Sequence, residues 1–451
     1  MRNQTLSDTM KNTPQKLSER KALGLELILF AALLTLVSFV LQGCEDACES
    51  EISYTYLEPV YTSLEDVRSS VTVLPAEPLR THGKIFYKDN YLFINEPNKG
   101  IHVINNSDPS NPINESFINV PGSFDLVIKD NYLYTDSYID LVIIDISDIN
   151  NAIEVSRQKD VFNGYNSYGF YVDSNLGVVT DWKEVEHVDV AKSDCGSGQI
   201  YPWGHYYDRG IALEATASFD ANIAVSPGNS GMAGSMSRFA LSHDHLYLID
   251  QGELLALDLD NPTDPMMGER QYIDWGIETL FPAKEHLFIG AQNGMHIMNL
   301  DDPINPVLLS TYQHVNSCDP VIVDGDYAYV TLRSGNECAG FTNQLEVIEI
   351  SDLTLPQVQH VYPMTNPHGL GKDGDALFIC DGYDGLNIFN ASDISQINDN
   401  LIAHYPNIDA FDIIPFNKVA MMIGEDGLYQ YDYSDLTNIT LLSHLKIIPE
   451  L

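Results

Sequence analysis

One recurring pattern constrains the fold of this chain more than any other feature. A short strand leads through a tight Asp, Asn or Gly turn into a second strand bearing Tyr or Phe. A loop then precedes an apolar strand that ends in an acidic turn. The apolar strand marks the copies best. It begins at Ile101, Leu141, Val185, Leu254, Met295, Leu345, Leu386 and Leu428, making eight copies. Successive copies lie roughly 40 to 44 residues apart, with insertions that widen the spacing to roughly 70 after the third and 50 before the sixth. A fourth strand follows a Pro-containing turn, as in ESFINV from Glu115 and VLLSTY from Val307.

A unit of four short antiparallel strands buries neither face alone, so copies must stack on one another. Stacked around an axis, they make an all-β β-propeller of four-stranded antiparallel blades. A solenoid or a pair of sandwiches is the competing reading. The copy number points to eight blades, or to seven if the third copy is a degenerate excursion. One propeller domain is expected over 71–451, with an insertion at about 191–236. A strand near Ser70 to Leu74 is placed either to pair with the last unit and close the ring or to end the N-terminal segment.

The second copy, Leu141 to Ser147, reads LVIIDIS and resembles the signature of the LVIVD repeat family. Members of that family are β-propeller proteins of bacterial and archaeal surfaces, so the resemblance implies a propeller over roughly residues 80–448. VEHVDV at Val185 and LYQYDY at Leu428 depart from the apolar consensus.

The first residues carry Arg2, Lys11, Lys16, Arg20 and Lys21, followed by an apolar run from Leu27 to Leu41. That run is too short to span a bilayer comfortably and reads as a secretory signal over 1–43. It ends in Leu41-Gln42-Gly43-Cys44, which resembles the lipobox of bacterial lipoproteins, with Gln42 where Ala or Ser is usual. The resemblance implies that Cys44 takes diacylglycerol and becomes the mature N-terminus, anchoring an exported lipoprotein to the membrane. Glu45 and Asp46 resemble the acidic sorting signal of Bacteroidetes-type lipoproteins, which implies display on the outer face of the outer membrane. Residues 44–70 are then the lipidated N-terminus and a Glu/Ser/Thr-rich tether. An ordinary cleaved signal and a retained signal anchor are the alternatives.

With 23 basic against 64 acidic residues, the net charge of −41 excludes attraction to nucleic acid. Much of that acidity sits in Asp-Asn, Asp-Gly and Asp-Pro turns, which turn chemistry explains. In a propeller these turns, joining first to second and third to fourth strands, share one face. They are poor functional candidates. The other face collects the irregular loops and the candidate ligand-facing residues His82, Asp125, Arg238, Asp319, Arg333 and His368. It also receives the insertion, whose Trp203 and His205 suggest an ordered lid over the axial mouth.

In an oxidising compartment Cys318 and Cys338, on one face of one unit, are expected to form a disulfide closing a loop of roughly 20 residues. Cys195 with Cys380 is a weaker pairing, and Cys48 is unassigned. No CxxC or HxxxH spacing points to a metal. DGYDG at Asp381 and GEDG at Gly424 lack the full calcium ladder, so no cofactor is expected and calcium stays a weak option. There is no GxSxG, HExxH or P-loop. These features favour a monomeric binding module for an unknown surface protein or polysaccharide over a surface hydrolase or lyase with an axial active site. A structural envelope role is the third reading.

Overall fold

The computed structural model describes residues 47–163, 171–173, 175–194, 223–225, 232–235, 237–314, 320–335 and 342–449. Eight sheets form among them, the number that eight copies imply. They are not equivalent. Seven follow one another as blades within one compact unit, 59–183 with 213–451. The eighth has three strands in the order Ala47–Thr62, Gly177–Asp194, Val172–Asp173. It takes in the third copy, whose residues 185–190 belong to a second compact unit, 1–58 with 184–212.

The sequence explains the departure. In the other copies the third strand is buried almost throughout and carries at most one polar residue in its interior, such as His102, Glu346 or Gln430. VEHVDV instead alternates Val185 and Val188 with Glu186, His187 and Asp189, and Val188 is exposed. The closed ring therefore matches the seven-bladed alternative, with the third copy as the excursion.

Blade 1 comprises Ile85–Lys88, Tyr91–Glu96, Gly100–Asn105 and Ile113–Asn119. Blade 2 comprises Leu126–Lys129, Tyr132–Ser137, Asp140–Asp145 and Ile153–Gln158. Blade 3 runs from Phe239–Ser242 through His245–Asp250 and Glu253–Asp258 to an outer strand broken into Met266–Met267 and Gln271–Tyr272. Blades 4 to 7 begin with inner strands Ile277–Ala283, Val321–Asp324, Leu370–Asp373 and Ala410–Phe416. Second and third strands are buried almost throughout, whereas the outermost strands alternate between exposed and part-buried residues. The core accordingly lies between blades, for example where Ile85, Leu92, Ile94 and Ile104 of blade 1 meet Ile413, Met421 and Tyr431 of blade 7.

Polar links repeat with the blades. Tyr134, Tyr247 and Tyr405 each donate a phenolic hydrogen bond to a turn carbonyl of the following blade, at Pro262, Pro303 and Ile439, all at 2.9 Å. Ser443 Oγ closes the circle on the carbonyl of Pro109 at 2.6 Å. Paired Asx turns, such as Asp432 with Ser434 N and Asp435 with Thr437 N, account for the acidic turns as turn chemistry predicts.

Two expectations for the N-terminal segment change. The strand Thr72–Pro75 pairs with the outer strand of blade 1, not with the last unit. Residues expected as a tether include the long strand Ala47–Thr62 and a short helix, Leu64–Arg68, capped by Ser63. Arg68 forks onto Asp140 at 2.7 and 2.9 Å and so ties the helix to blade 2.

The insertion contributes a hairpin to the axis. Its strand Met232–Ser235 pairs with Ile223–Val225 and adds to the inner edge of blade 1, with Met232 opposite Tyr87 and Ala233 opposite Phe86. It also borders the inner strands of blades 4 and 7. This part of the insertion fills the channel rather than roofing it.

Candidate functional site

Around the axis on the irregular face, the starts of the inner strands bring acidic and basic groups together. Asp125, fully buried, accepts from the N–H of Leu126 at 2.8 Å, Ser237 Oγ at 3.0 Å and the N–H of Arg238 at 2.6 Å. Asp136 accepts from the N–H groups of Phe124 and Asp125 at 2.7 and 3.0 Å and meets the Arg238 guanidinium at 3.3 Å. Burial pushes Asp136 up to about 6 although Arg238 and both N–H groups oppose it. Sequence reasoning placed Asp125 and Arg238 together but missed Asp136. Its signal was present, as an acidic residue closing the second strand.

The same device recurs. Asp250 accepts from the N–H of Asn163 at 2.7 Å, and Asp381 from those of Thr365 and Asn366 at 3.1 and 2.6 Å. Each carboxylate fixes the incoming connection from the previous blade.

Lys84 faces this group. Burial lowers it to about 8, with Asp125, Asp412 and Glu278 opposing the shift and Arg238 adding to it. Asp412, with no exposed surface, accepts from the N–H of Ile413 at 2.7 Å, and burial pushes its carboxyl well above the usual range.

A second group joins blades 5, 6, 7 and 1. His82 stacks on Phe411 at 4.2 Å and 15°, and His368 meets the same ring edge-on at 5.2 Å and 76°. Both histidines are buried, so they pack inside the rim instead of presenting rings to solvent at the channel mouth. Burial, then the charge of Arg333, lowers His368 to about 3, and Asn366 Nδ2 donates to its Nε2 at 3.0 Å. Arg333 is itself buried. The candidate residues therefore fall into two internal clusters, Asp125 with Arg238 and His82 with His368 and Arg333. Trp203, His205, Asp319 and the cysteines of the expected disulfide, Cys318 and Cys338, lie outside the described residues, as do Cys44 and Cys195. Cys380 is a free, buried thiol.

What the irregular face exposes is aromatic. Tyr272 and Trp275, before blade 4, are 66% and 55% exposed, and Tyr383, in the loop after the second strand of blade 6, is 65% exposed. Nothing in the periodicity marked these three, because Trp275 and Tyr383 lie on loops, which have no sequence period, and Tyr272 on a two-residue strand too short to show one.

The turn face departs from expectation. A cavity of about 420 Å³ opens where the inner strands of blades 3 to 7 end. Charged groups join blades around it: Lys129 with Asp244 at 2.6 Å, Lys284 with Asp326 at 3.0 Å, Lys418 with Asp373 at 2.7 Å, and Lys372 with Asp324. Acidic turn residues dismissed as spent on turns thus also latch neighbouring blades.

The family model described as the LVIVD repeat matches residues 83–118, 123–160, 233–271 and 317–363, which fall on blades 1, 2, 3 and 5. The chain carries LVIVD repeats in these four places, as the motif at Leu141 implied. No curated protein matches it in sequence. Among solved structures it is similar to the computationally designed Ika8 protein, at 8% identity and a TM-score of 0.47, covering 83% of this chain and 91% of that one. Hsv2 of Kluyveromyces lactis aligns at 11% identity and a TM-score of 0.44, covering 80% of this chain and 98% of that one. BamB from Moraxella catarrhalis aligns at 9% identity and 0.43, covering 82% and 90%.

Proposed function

We propose that this LVIVD-repeat propeller is an interaction module, held at a membrane surface by lipid on Cys44 and presenting its irregular face to an extracellular or envelope partner. The observation that carries the reading is the exposure of Trp275 and Tyr383 on loops of that face, with Tyr272 at the end of the outer strand of blade 3 beside them, above charges fixed by burial. Large aromatics on a rigid support lose little entropy on contact and dominate binding energy at interfaces. The partner class is a surface protein or a polysaccharide.

The test is a capture experiment with the full-length protein against solubilised envelope and medium of its source cells. A Trp275→Ala, Tyr383→Ala double variant that melts like wild type is run beside it. Loss of a captured partner by the variant supports the reading, and equal capture moves the contact off this face. Lipidation is read separately, as labelled fatty acid incorporated by wild type but not by Cys44→Ala.

One observation favours a second reading, a hydrolase or lyase with an axial site. Lys84, drawn down to about 8 beside Asp125, Glu278 and Asp412, is the kind of titratable group that acid–base chemistry uses. Turnover of any substrate in a hydrolase and lyase screen, abolished by Lys84→Met, would favour that reading over the module.

A further inference from the structure

We propose that the cavity on the turn face binds a short zwitterionic peptide carrying an apolar side chain. It is a site separate from the aromatic irregular face. At about 420 Å³ it falls within the range of small-ligand pockets. It is also pre-formed, because its walls are the ends of inner strands from five blades held by the ring.

Its chemistry divides by depth. Phe281 and Ile322 are buried and, with Val323 and Pro415, line it with apolar surface. The charged lining consists of His243, Lys284, Glu285, Asp324 and Lys372. In a chain of net charge −41, two lysines here balance two carboxylates. A simple anion or cation would meet as much repulsion as attraction, whereas a ligand with both charges meets complementary groups.

Donor capacity supports this. An ammonium has three protons. Lys372 gives two of them to Asp324 Oδ2 and the carbonyl of Gly374, and Lys284 gives one to Asp326. Among the described residues, unspent N–H donors therefore remain on Lys284 for a carboxylate, while Lys372, whose ammonium also lies 5.8 Å over the Tyr329 ring, keeps at most one. On the acidic side, Asp324 receives Lys372 on one oxygen, and Glu285 meets His243 Nε2 at 3.3 Å through one oxygen. Among the described residues, the second oxygen of each is open to an ammonium.

The backbone argues that the ligand is held by its ends. Pro282 and Pro415 sit in the inner strands of blades 4 and 7 and have no N–H to offer, so a peptide cannot extend those edges as an added strand. Gly371 sets the cavity wall. A Cβ there would lie 2.5 Å from Cδ of Pro415.

The test uses the full-length protein and titration calorimetry with the dipeptide Leu-Phe, its N-acetyl form and its C-terminal amide. Leu-Phe is expected to saturate, each cap to weaken binding by at least about tenfold, and Ala283→Trp, which fills the cavity, to abolish it. Hydrogen exchange on wild type, which needs no variant, is expected to show Leu-Phe protecting 282–285 and 322–324 but not 381–385. No saturation by about 10 mM, equal binding of the capped forms, or protection confined to other segments overturns the proposal. The Trp275→Ala, Tyr383→Ala variant is expected to bind Leu-Phe normally, so failure here and failure of the interaction-module reading are told apart.

Discussion

Asn106 and Gln430 exchange two amide hydrogen bonds, at 2.8 and 2.7 Å, across 324 residues of chain. Both side chains are buried. They join the turn after the third strand of blade 1 to the third strand of blade 7, and so pin the closure of the ring. Removing one partner strips the other buried amide of both of these bonds, leaving, among the described residues, Gln430 only Ser443 Oγ at 3.3 Å or Asn106 only Met421 Sδ at 3.7 Å, at a cost of about 2–3 kcal/mol. Gln430→Leu and Asn106→Leu should each destabilise by that amount in chemical denaturation. The double variant should lose less than the sum, by at least about 1 kcal/mol. Strict additivity would show that closure does not depend on the pair.

Asp136 and Asp140, both on blade 2, should respond to acid with opposite signs. Burial raises Asp136 to about 6 in the folded state, so the native protein binds the extra proton between the unfolded value and 6. Stability then falls as pH rises from about 4 to about 6 and is flat above, a change of about 2–3 kcal/mol. Asp136→Asn keeps an acceptor for both N–H groups and should remove that slope. Denaturation midpoints of wild type and variant at pH 4 and pH 7 decide it.

For Asp140 burial pushes upward, but the Arg68 fork, the N–H of Asp160 and Arg157 outweigh it and hold the carboxyl below its ordinary range. Its contribution is present above about pH 4 and is lost as pH falls through the depressed folded value. Arg68→Ala should shrink this acid-sensitive part by about 1–3 kcal/mol. A wild-type acid limb unchanged by the substitution would refute the assignment.

Gly385 and Gly374 both have left-handed backbone, with φ of +100° and +57°. Their surroundings differ. A Cβ on Gly385 would stand 2.0 Å from the carbonyl oxygen of Tyr405, whereas Gly374 has nothing within 4 Å. Gly374→Ala should cost about 1 kcal/mol, from the backbone alone. Gly385→Ala should cost at least about 3 kcal/mol, because a strand must move as well. Equal costs would mean that the outer strand yields freely.

Cys380 is buried, and burial pushes its thiol well above the ordinary range, so it should resist alkylation at pH 8 until the ring opens. Peptide-level mass spectrometry checks this. Labelling faster than global unfolding would reveal local opening of blade 6.

The strands and turns were legible because their determinants are local. LVIIDIS has to lie between two apolar surfaces, and Asp435 beside Thr437 has to turn. The third copy was legible too, once Glu186 and His187 are weighed as adjacent polar residues, one on each face, in a strand whose counterparts carry at most one in their interior. The site was less so. Phe411 collects His82 and His368 from positions 329 and 43 residues away in sequence, and no spacing announces such a meeting. The axial hairpin was illegible for another reason. Met232-Ala233-Gly234-Ser235 is too short and too weakly patterned to read as a strand, and it becomes one by completing the edge of Ile85–Lys88. The turn-face cavity depends on how five strand ends converge, which the repeat alone does not specify.

That borrowed strand has a temporal consequence. Blade 1 carries Thr72–Pro75 on its outer edge and Met232–Ser235 on its inner edge, so it spans more of the chain than any other blade. A chain delivered N-terminus first exposes its first blade early but completes it only when residue 235 arrives, after blade 2 is already available as a template. The oldest segment of the ring is then completed after its successor, though still ahead of blades 3 to 7. Its bare inner edge, Ile85–Lys88, is the place where a stalled or truncated chain would recruit a foreign strand.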